Sequence, residues 1–361
     1  IIVFFFWGFV GSANDILIPV FKKVFTLSQV QSQLVAWAFY AAYFVGSIIF
    51  FLVSLKRDVL QQFGYKKTLA AGLILSAVGS FLFVPAATMA SFPFFLTALF
   101  TVGLGFSIQQ IVANPLAIKM GSPETGAHRL TLAGGINSFG TTIGAILLGI
   151  ALFGMGDNKK TNLSLEDIKL PFIILGLAFI VVAVFMYFSK IEDPAKVDEE
   201  QAIIEHKHAK FNILDYPQLY LGMLGIFIYV GTEVTIISNL PALLHTNEFG
   251  NILEDAIAPF IALYWGSLMI GRWNGGVNVF NTSNLVNTAL KFIVPALAFG
   301  VIIGANIFAA HDVSTFYIYP IWILLFIAVS FVGGKNAGKT LMLFGISGLL
   351  MMVLGLVWPN P

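Results

Sequence analysis

Cysteine is absent from the 361 residues, and charge is scarce, with Asp, Glu, Lys and Arg together at 10%. A chain without thiols has no disulfides, no cysteine nucleophile and no cysteine-ligated metal. The net charge of +1 provides no basic face for nucleic acid. Polar stretches long enough for a separate catalytic domain are missing, so any function sits among apolar segments. What fills the chain is 58% hydrophobic residues at a mean hydropathy of +0.89, outside the range of soluble domains. The sequence opens on Ile1 within an apolar run, which reads as a fragment with no signal peptide to excise.

A crossing takes about 20 residues for a hydrocarbon layer roughly 30 Å thick. Runs of that kind cover 1–20, 33–55, 68–88, 93–118, 130–153, 170–189, 217–240, 256–279, 287–310, 315–333 and 338–358. They are continuous rather than alternating, so they read as helices and not barrel strands. The fold expected is an all-α membrane protein with about 11 transmembrane helices. One charge-dense stretch, KIEDPAKVDEEQAIIEHKHAKFNILD at 190–215, interrupts them. It divides the chain into an amino-terminal six-helix bundle (1–189), a linker (190–215) and a carboxy-terminal bundle (216–361).

With the amino terminus inside, basic residues concentrate on the inner side. Only Lys22, Lys23, Lys159, Lys160 and Lys169 of the 19 lie outside. Positively charged loops are retained in the cytoplasm, so the amino terminus and the linker are expected there. The segment FVGSAND at 9–15 is echoed by YVGTEVT at 229–235, and each is followed by a proline, Pro19 and Pro241. Two related halves are the usual build of a secondary transporter.

Ionisable residues inside the hydrocarbon cost about 2.5–3.5 kcal/mol even on the lenient insertion scale, so each needs a partner or a task. Asp15 follows fourteen residues without a charge, about 21 Å of helix at about 1.5 Å per residue. An anion there is costly, so proton uptake can be coupled to a change of conformation. The structural alternative is an acid near the outer interface held by Asn14 or Lys22. Glu233, within IYVGTEVTIIS, is either a second titrating group, an acceptor for a substrate hydroxyl, or a structural pair.

Gln110 and Asn114 lie four apart in QQIVANP and share one helix face. Carboxamides donate and accept, as vicinal sugar hydroxyls require, although amides also join membrane helices to each other. Asn137 in NSFGTTIG is read the same two ways. Trp37 and Trp265 sit inside spans beside small residues and are candidates to stack on the apolar face of a pyranose. Trp358 reads as an interfacial anchor. Arg272, in MIGRWNG, is expected to snorkel to the interface or cap a helix in the inner gate. The five histidines lie in the linker or at span ends without metal-ligand spacing.

GGKNAGKT at 333–340 matches the phosphate-loop pattern letter for letter. The mechanism of that pattern needs a buried strand before the loop, whereas here a spanning helix precedes it. It reads as a short cytoplasmic turn. The N-x-S patterns at Asn162 and Asn281 carry no information on function.

Several segments together resemble the fucose permease branch of the major facilitator superfamily, which includes bacterial glucose/galactose permeases. They are NDILIPVFKKVFTLSQVQSQLV (14–35), AFYAAYFVGS (38–47), GYKK (64–67), GLGFSIQQIVANP (103–115) and GSPETGAHRLTLAGGINSFGTTIG (121–144). YVGTEVTI and YWGSLMIGR extend the match more loosely over 217–275. The resemblance implies a major facilitator-type helical bundle that imports a sugar with a proton by alternating access in the inner membrane of a Gram-negative bacterium. It implies that Asp15 is the proton-coupling residue and that Asn137 contacts sugar. A sugar-contacting glutamate ahead of the fourth span's A-N-P falls on Gln110, which argues against fucose and resembles the glucose/galactose members. Related carriers of animals use sodium, so the coupling ion stays open between proton and sodium.

NAGKTLMLFGISG at 336–348 resembles the start of the family's ninth span but stands eleventh here. An inserted helix pair at 287–333 and a truncated carboxy-terminal bundle are therefore expected. The resulting expectation is a monomeric, non-enzymatic carrier in the lipid bilayer, moving a monosaccharide without an organic cofactor. Substrate would lie between the halves, near Gln110, Asn114, Asn137 and Trp37 on one side and Glu233 and Trp265 on the other. A drug/proton antiporter of the same superfamily and a non-transporting sugar sensor are the alternatives. The amide pairs argue against the first, and only counterflow measurements separate the second.

Overall fold

A computed structural model of the chain describes residues 2–57, 59–122, 125–154, 164–190, 215–253, 256–277, 282–333 and 337–357. Helices and short turns account for their regular structure, with no strand among the described residues. The helices are α1 (Ile2–Val24), α2 (Gln29–Ser54), α3 (Val59–Phe63), α4 (Tyr65–Thr88), α5 (Phe92–Lys119), α6 (Gly126–Phe153) and α7 (Glu166–Phe188). Then follow α8 (Pro217–Leu244), α9 (Ala258–Gly276), α10 (Asn284–Phe308), α11 (Tyr319–Gly333) and α12 (Ala337–Val357). Among the described residues, nine helical segments are long and apolar enough to cross a membrane.

A helix coincides with each apolar run, and several extend beyond their hydrophobic windows for local reasons. α2 begins four residues before its run because Ser28 and Gln31 form a reciprocal capping box, with bonds of 3.2 and 2.9 Å. α7 begins early because Glu166 and Asp167 complement the positive end of the helix. The short α3, between the second and third spans, was not expected. Residues 191–214, Asn162, Asn281 and Trp358 lie outside the described residues. In the phosphate-loop look-alike, Gly338, Lys339 and Thr340 belong to the first turn of α12, while 334–336 lie outside the described residues.

The first six spanning helices form a tight bundle because small residues let backbones approach at each crossing. α1 and α6 run parallel. Gly144 lies against Phe9 and Ser12, and Gly140 against Phe5 and Phe9. Gly46 and Gly103 perform the same service between α2 and α5, and Gly72 and Gly79 between α4 and α5. Phe83 stacks on Phe172 with centroids 3.6 Å apart, joining α4 to α7.

α9 crosses from the second half onto α6 and packs antiparallel along almost its whole length. Gly149 faces Ala258, Thr142 faces Gly266, Gly135 faces Trp273 and Leu132 faces Gly276. α10 follows α9, with Ile302 seated against Gly266, and Tyr319 at the start of α11 bonds Ser267 at 2.5 Å. α8 is more open and is buried only at Ile237, Ser238 and Leu244. The Gln33 side chain of α2 donates to the Ser238 carbonyl at 3.4 Å, a further tie between the halves. These contacts place the middle of α1 opposite α9.

Candidate functional site

Asp15 lies in the interior of α1, only 5% exposed. Its carboxylate accepts a hydrogen bond of 2.9 Å from the indole N–H of Trp265 on α9, so the two halves meet at this acid. Lys22 does not hold it, because its ammonium is bonded to Gln29 at 2.9 Å. Tyr40 of α2, Glu233 of α8 and Tyr264 of α9 stand within electrostatic range of the carboxylate.

Glu233 is half-buried. Its side chain lies beside the Tyr229 hydroxyl one turn earlier on α8, and its backbone carbonyl accepts from Tyr264 at 2.9 Å. Arg272 completes the chain of contacts. It donates to the Tyr229 hydroxyl at 3.1 Å, to Ser138 Oγ at 2.7 Å and to the Gly134 carbonyl at 3.2 Å. The Arg272 stem lies in van der Waals range of Gly134, 3.5 Å from where a Cβ would stand. Arg272 therefore turns inward and ties α9 to α6 and α8, rather than reaching for an interface. Tyr229 thus stands between the carboxylate of Glu233 and the guanidinium of Arg272.

Aromatic rings line the amino-terminal side. Trp7 donates its indole N–H to the Tyr43 hydroxyl. Tyr43 also lies nearly parallel to Tyr40, with centroids 6.2 Å apart. Phe106 on α5 packs edge-on against Trp7. Gln110 comes one turn after Phe106 on the same face of α5, and Asn114 one turn later. Both are half-buried, and no hydrogen bond among the described residues occupies either amide. The preceding residue, Gln109, is the structural amide: it is buried and donates to Ser76 at 2.8 Å and to the Gly72 carbonyl at 3.2 Å. Asn137 donates to the Phe4 carbonyl of α1 at 3.1 Å, which fixes the amide against α1 and leaves its carbonyl oxygen available.

One expected contact is corrected. Trp37 is 70% exposed and belongs to a stripe of exposed apolar side chains on α2 with Val30, Leu34, Phe44, Ile48 and Phe51. The face of α2 turned to α1 and α5 carries Val35, Phe39, Ala42 and Gly46 instead. Trp37 is therefore placed away from Asp15, and Tyr40 and Tyr43 take the inner position. Trp7, Tyr40, Tyr43, Tyr229 and Tyr264 were missed from the sequence. The available signal was hydroxyls recurring three apart in AFYAAYFVGS, where a phenol in hydrocarbon must find a partner.

A bundle of apolar helices of spanning length, with a buried acid and aromatic rings where α1 meets α9, is an architecture that membrane carriers share. The Major Facilitator Superfamily model matches residues 1–361, and the chain belongs to that superfamily. The chain is 35% identical over 274 residues to the glucose/galactose transporter of Brucella abortus, which covers 76% of this chain and 64% of that protein. It is 33% identical over 318 residues to the putative glucose/galactose transporter of Helicobacter pylori, covering 84% and 73%. With the L-fucose-proton symporter of Escherichia coli it shares 36% identity over 151 residues, covering 42% and 33%. The match thus spans 64% of the length of the Brucella relative. Among solved structures, an outward-conformation crystal structure of FucP, a Major Facilitator Superfamily transporter, superposes with a TM-score of 0.57. The match covers 99% of this chain and 88% of that one at 23% identity, and speaks to the fold.

Proposed function

We propose that the protein is a secondary active transporter that imports a hexose together with a proton by alternating access, as a monomer in a bacterial inner membrane with its amino terminus in the cytoplasm. The observation that carries this reading is Asp15, buried in α1 and bonded across the two halves to Trp265 at 2.9 Å. A proton on this carboxyl removes a charge that favours one arrangement of the halves over another, and such a differential effect is what a coupling ion requires. Sugar hydroxyls are recognised by the amides of Gln110, Asn114 and Asn137 from the first half and by Glu233 from the second, with Trp265 alongside. Tyr40, Tyr43 and Trp7 supply the apolar and π faces that a pyranose ring packs against.

The names of the relatives support glucose, galactose or a fucose-like sugar as the cargo. The Gln110 amide, where a fucose carrier is expected to present an acid, favours the first two. Asp15→Asn in the full-length protein, reconstituted in liposomes, tests the reading. Galactose-driven alkalinisation of the outer medium is expected to vanish while counterflow of labelled galactose continues. Undiminished proton uptake in the variant, or uptake driven by a sodium gradient alone, overturns the assignment of Asp15 as the proton site.

A further inference from the structure

The indole of Trp265 was a candidate platform for sugar, yet its one polar group points elsewhere. The N–H lies 2.9 Å from Asp15 Oδ2, while the ring meets Tyr264 edge-on with centroids 5.3 Å apart. Among the described residues this is the hydrogen bond that reaches the Asp15 carboxylate, and it comes from the opposite half of the molecule, 250 positions along the chain. We propose that Trp265 is the positioning residue through which the protonation of Asp15 is felt by the second half: the carboxylate–indole bond is a proton-sensitive tie between α1 and α9. This inference rests on the transport reading above and assigns how its proton step is transmitted.

The chemistry follows from the acceptor. A carboxylate accepts an N–H roughly twice as strongly as a neutral oxygen does, so the tie is strong in the anionic state and weak once a proton sits on the carboxyl. An indole N–H is a donor only and cannot reverse its role to follow the proton. The protonated carboxyl keeps a neutral oxygen as acceptor, so the bond to the indole weakens. The effect is specific to this pair because of what surrounds it. Tyr40 approaches from α2, Glu233 from α8 and Tyr264 from α9. Glu233 lies beside Tyr229, which Arg272 holds. The sequence places no titratable group between Phe92 and Ile118 of α5 or between Leu130 and Phe153 of α6. In the first turn of α7, Lys169 and Glu166 are paired at 2.6 Å. On α1 itself, Lys22 is bonded to Gln29.

The α6–α9 packing, with its Arg272 bonds to Gly134 and Ser138, is a second tie that carries no acid. Together with the Gln33–Ser238 bond, these ties have no carboxylate as acceptor, whereas the Trp265–Asp15 bond does. A hydrogen bond to a charged group is equivalent to about a 10- to 100-fold change in an equilibrium constant, enough to shift a balanced two-state system decisively.

The test uses the full-length protein in liposomes. Trp265 is changed to Phe and, separately, to the benzothienyl analogue of tryptophan, which exchanges N–H for sulfur and keeps the outline of the ring. Spin-label distances between the halves are recorded in acid and alkaline buffers, with galactose counterflow and galactose-driven proton uptake measured alongside. The native chain is expected to change its distance distribution between the buffers. Both variants are expected to show the acid distribution in either buffer, an equilibrium shift of about 10- to 100-fold confined to the alkaline condition. Adding Asp15→Asn to either variant should not move the distance distribution any further. A benzothienyl variant with the native pH response overturns the tie. So does a variant that loses galactose affinity while keeping that response, which would assign the ring to sugar stacking. Proton uptake surviving in Asp15→Asn alone would instead defeat the transport reading, so the two failures are distinguishable.

Discussion

Gly144 of α6 is a sharp probe of whether the close α1–α6 crossing holds Asp15 in place. A Cβ at that position would lie 2.5 Å from Ser12 Oγ, 2.6 Å from the Phe9 carbonyl oxygen and 2.9 Å from Phe9 Cα. Two of those atoms are backbone and cannot rotate away, so Gly144→Ala must push α1 from α6. Overpacking of this kind costs about 1–3 kcal/mol. Against it stands the benefit of replacing a helical glycine by alanine, about 0.5–1 kcal/mol. The net expectation is destabilisation by up to about 2 kcal/mol.

Gly304 of α10 supplies the internal control, because nothing lies within 4 Å of a Cβ there. Gly304→Ala keeps only the helical benefit and should stabilise by about 0.5–1 kcal/mol. The assay is denaturant unfolding of the purified protein in detergent, with both variants compared with the parent. Ser12 precedes Asp15 by three positions on α1, so the displacement should also lower coupled transport in Gly144→Ala and leave Gly304→Ala unaffected. If the Gly144 variant is as stable as the Gly304 variant, the close crossing is not what organises the first half, and the argument for a rigid seat under Asp15 fails.

Gln110→Ala is expected to weaken galactose binding by about 1–3 kcal/mol, the cost of leaving a buried sugar hydroxyl unpaired; an unaltered binding isotherm counts against the site. Arg272→Lys should loosen the halves. A point-charge ammonium cannot reach Ser138, the Gly134 carbonyl and Tyr229 together as the guanidinium fork does. Loss of two such bonds is worth about 1–3 kcal/mol and should appear as a broader distribution of spin-label distances between α6 and α9. An unchanged distribution would reduce Arg272 to a passenger.

The class of protein was legible from hydrophobicity alone. Twenty-residue apolar runs leave the backbone no partner in lipid except itself, so they are helices whatever surrounds them. Asp15 was legible for the same reason, since a carboxyl amid ILIPVF and SAN has to be accounted for. The carrier family was legible through short motifs dense in Gly, Asn and Pro, where backbone approach and amide chemistry restrict the choice of residue.

Helix limits such as Gln29 and Glu166 were misjudged by a few residues because capping extends helices past their apolar windows. Trp37 and Trp265 show what required the tertiary structure. Both are indoles beside small residues, and nothing local separates them. One faces outward on α2, and the other donates to an acid 250 positions away. Likewise Gln109 and Gln110 are neighbours in sequence, yet about 100° of helical rotation sends the first into the α4 contact and leaves the second on the aromatic face. Rotation about each helix axis and the choice of neighbouring helix are settled by packing between segments distant in sequence. That information resides in the fit of Gly144 to Ser12 or of Gly135 to Trp273, and in no single segment read alone.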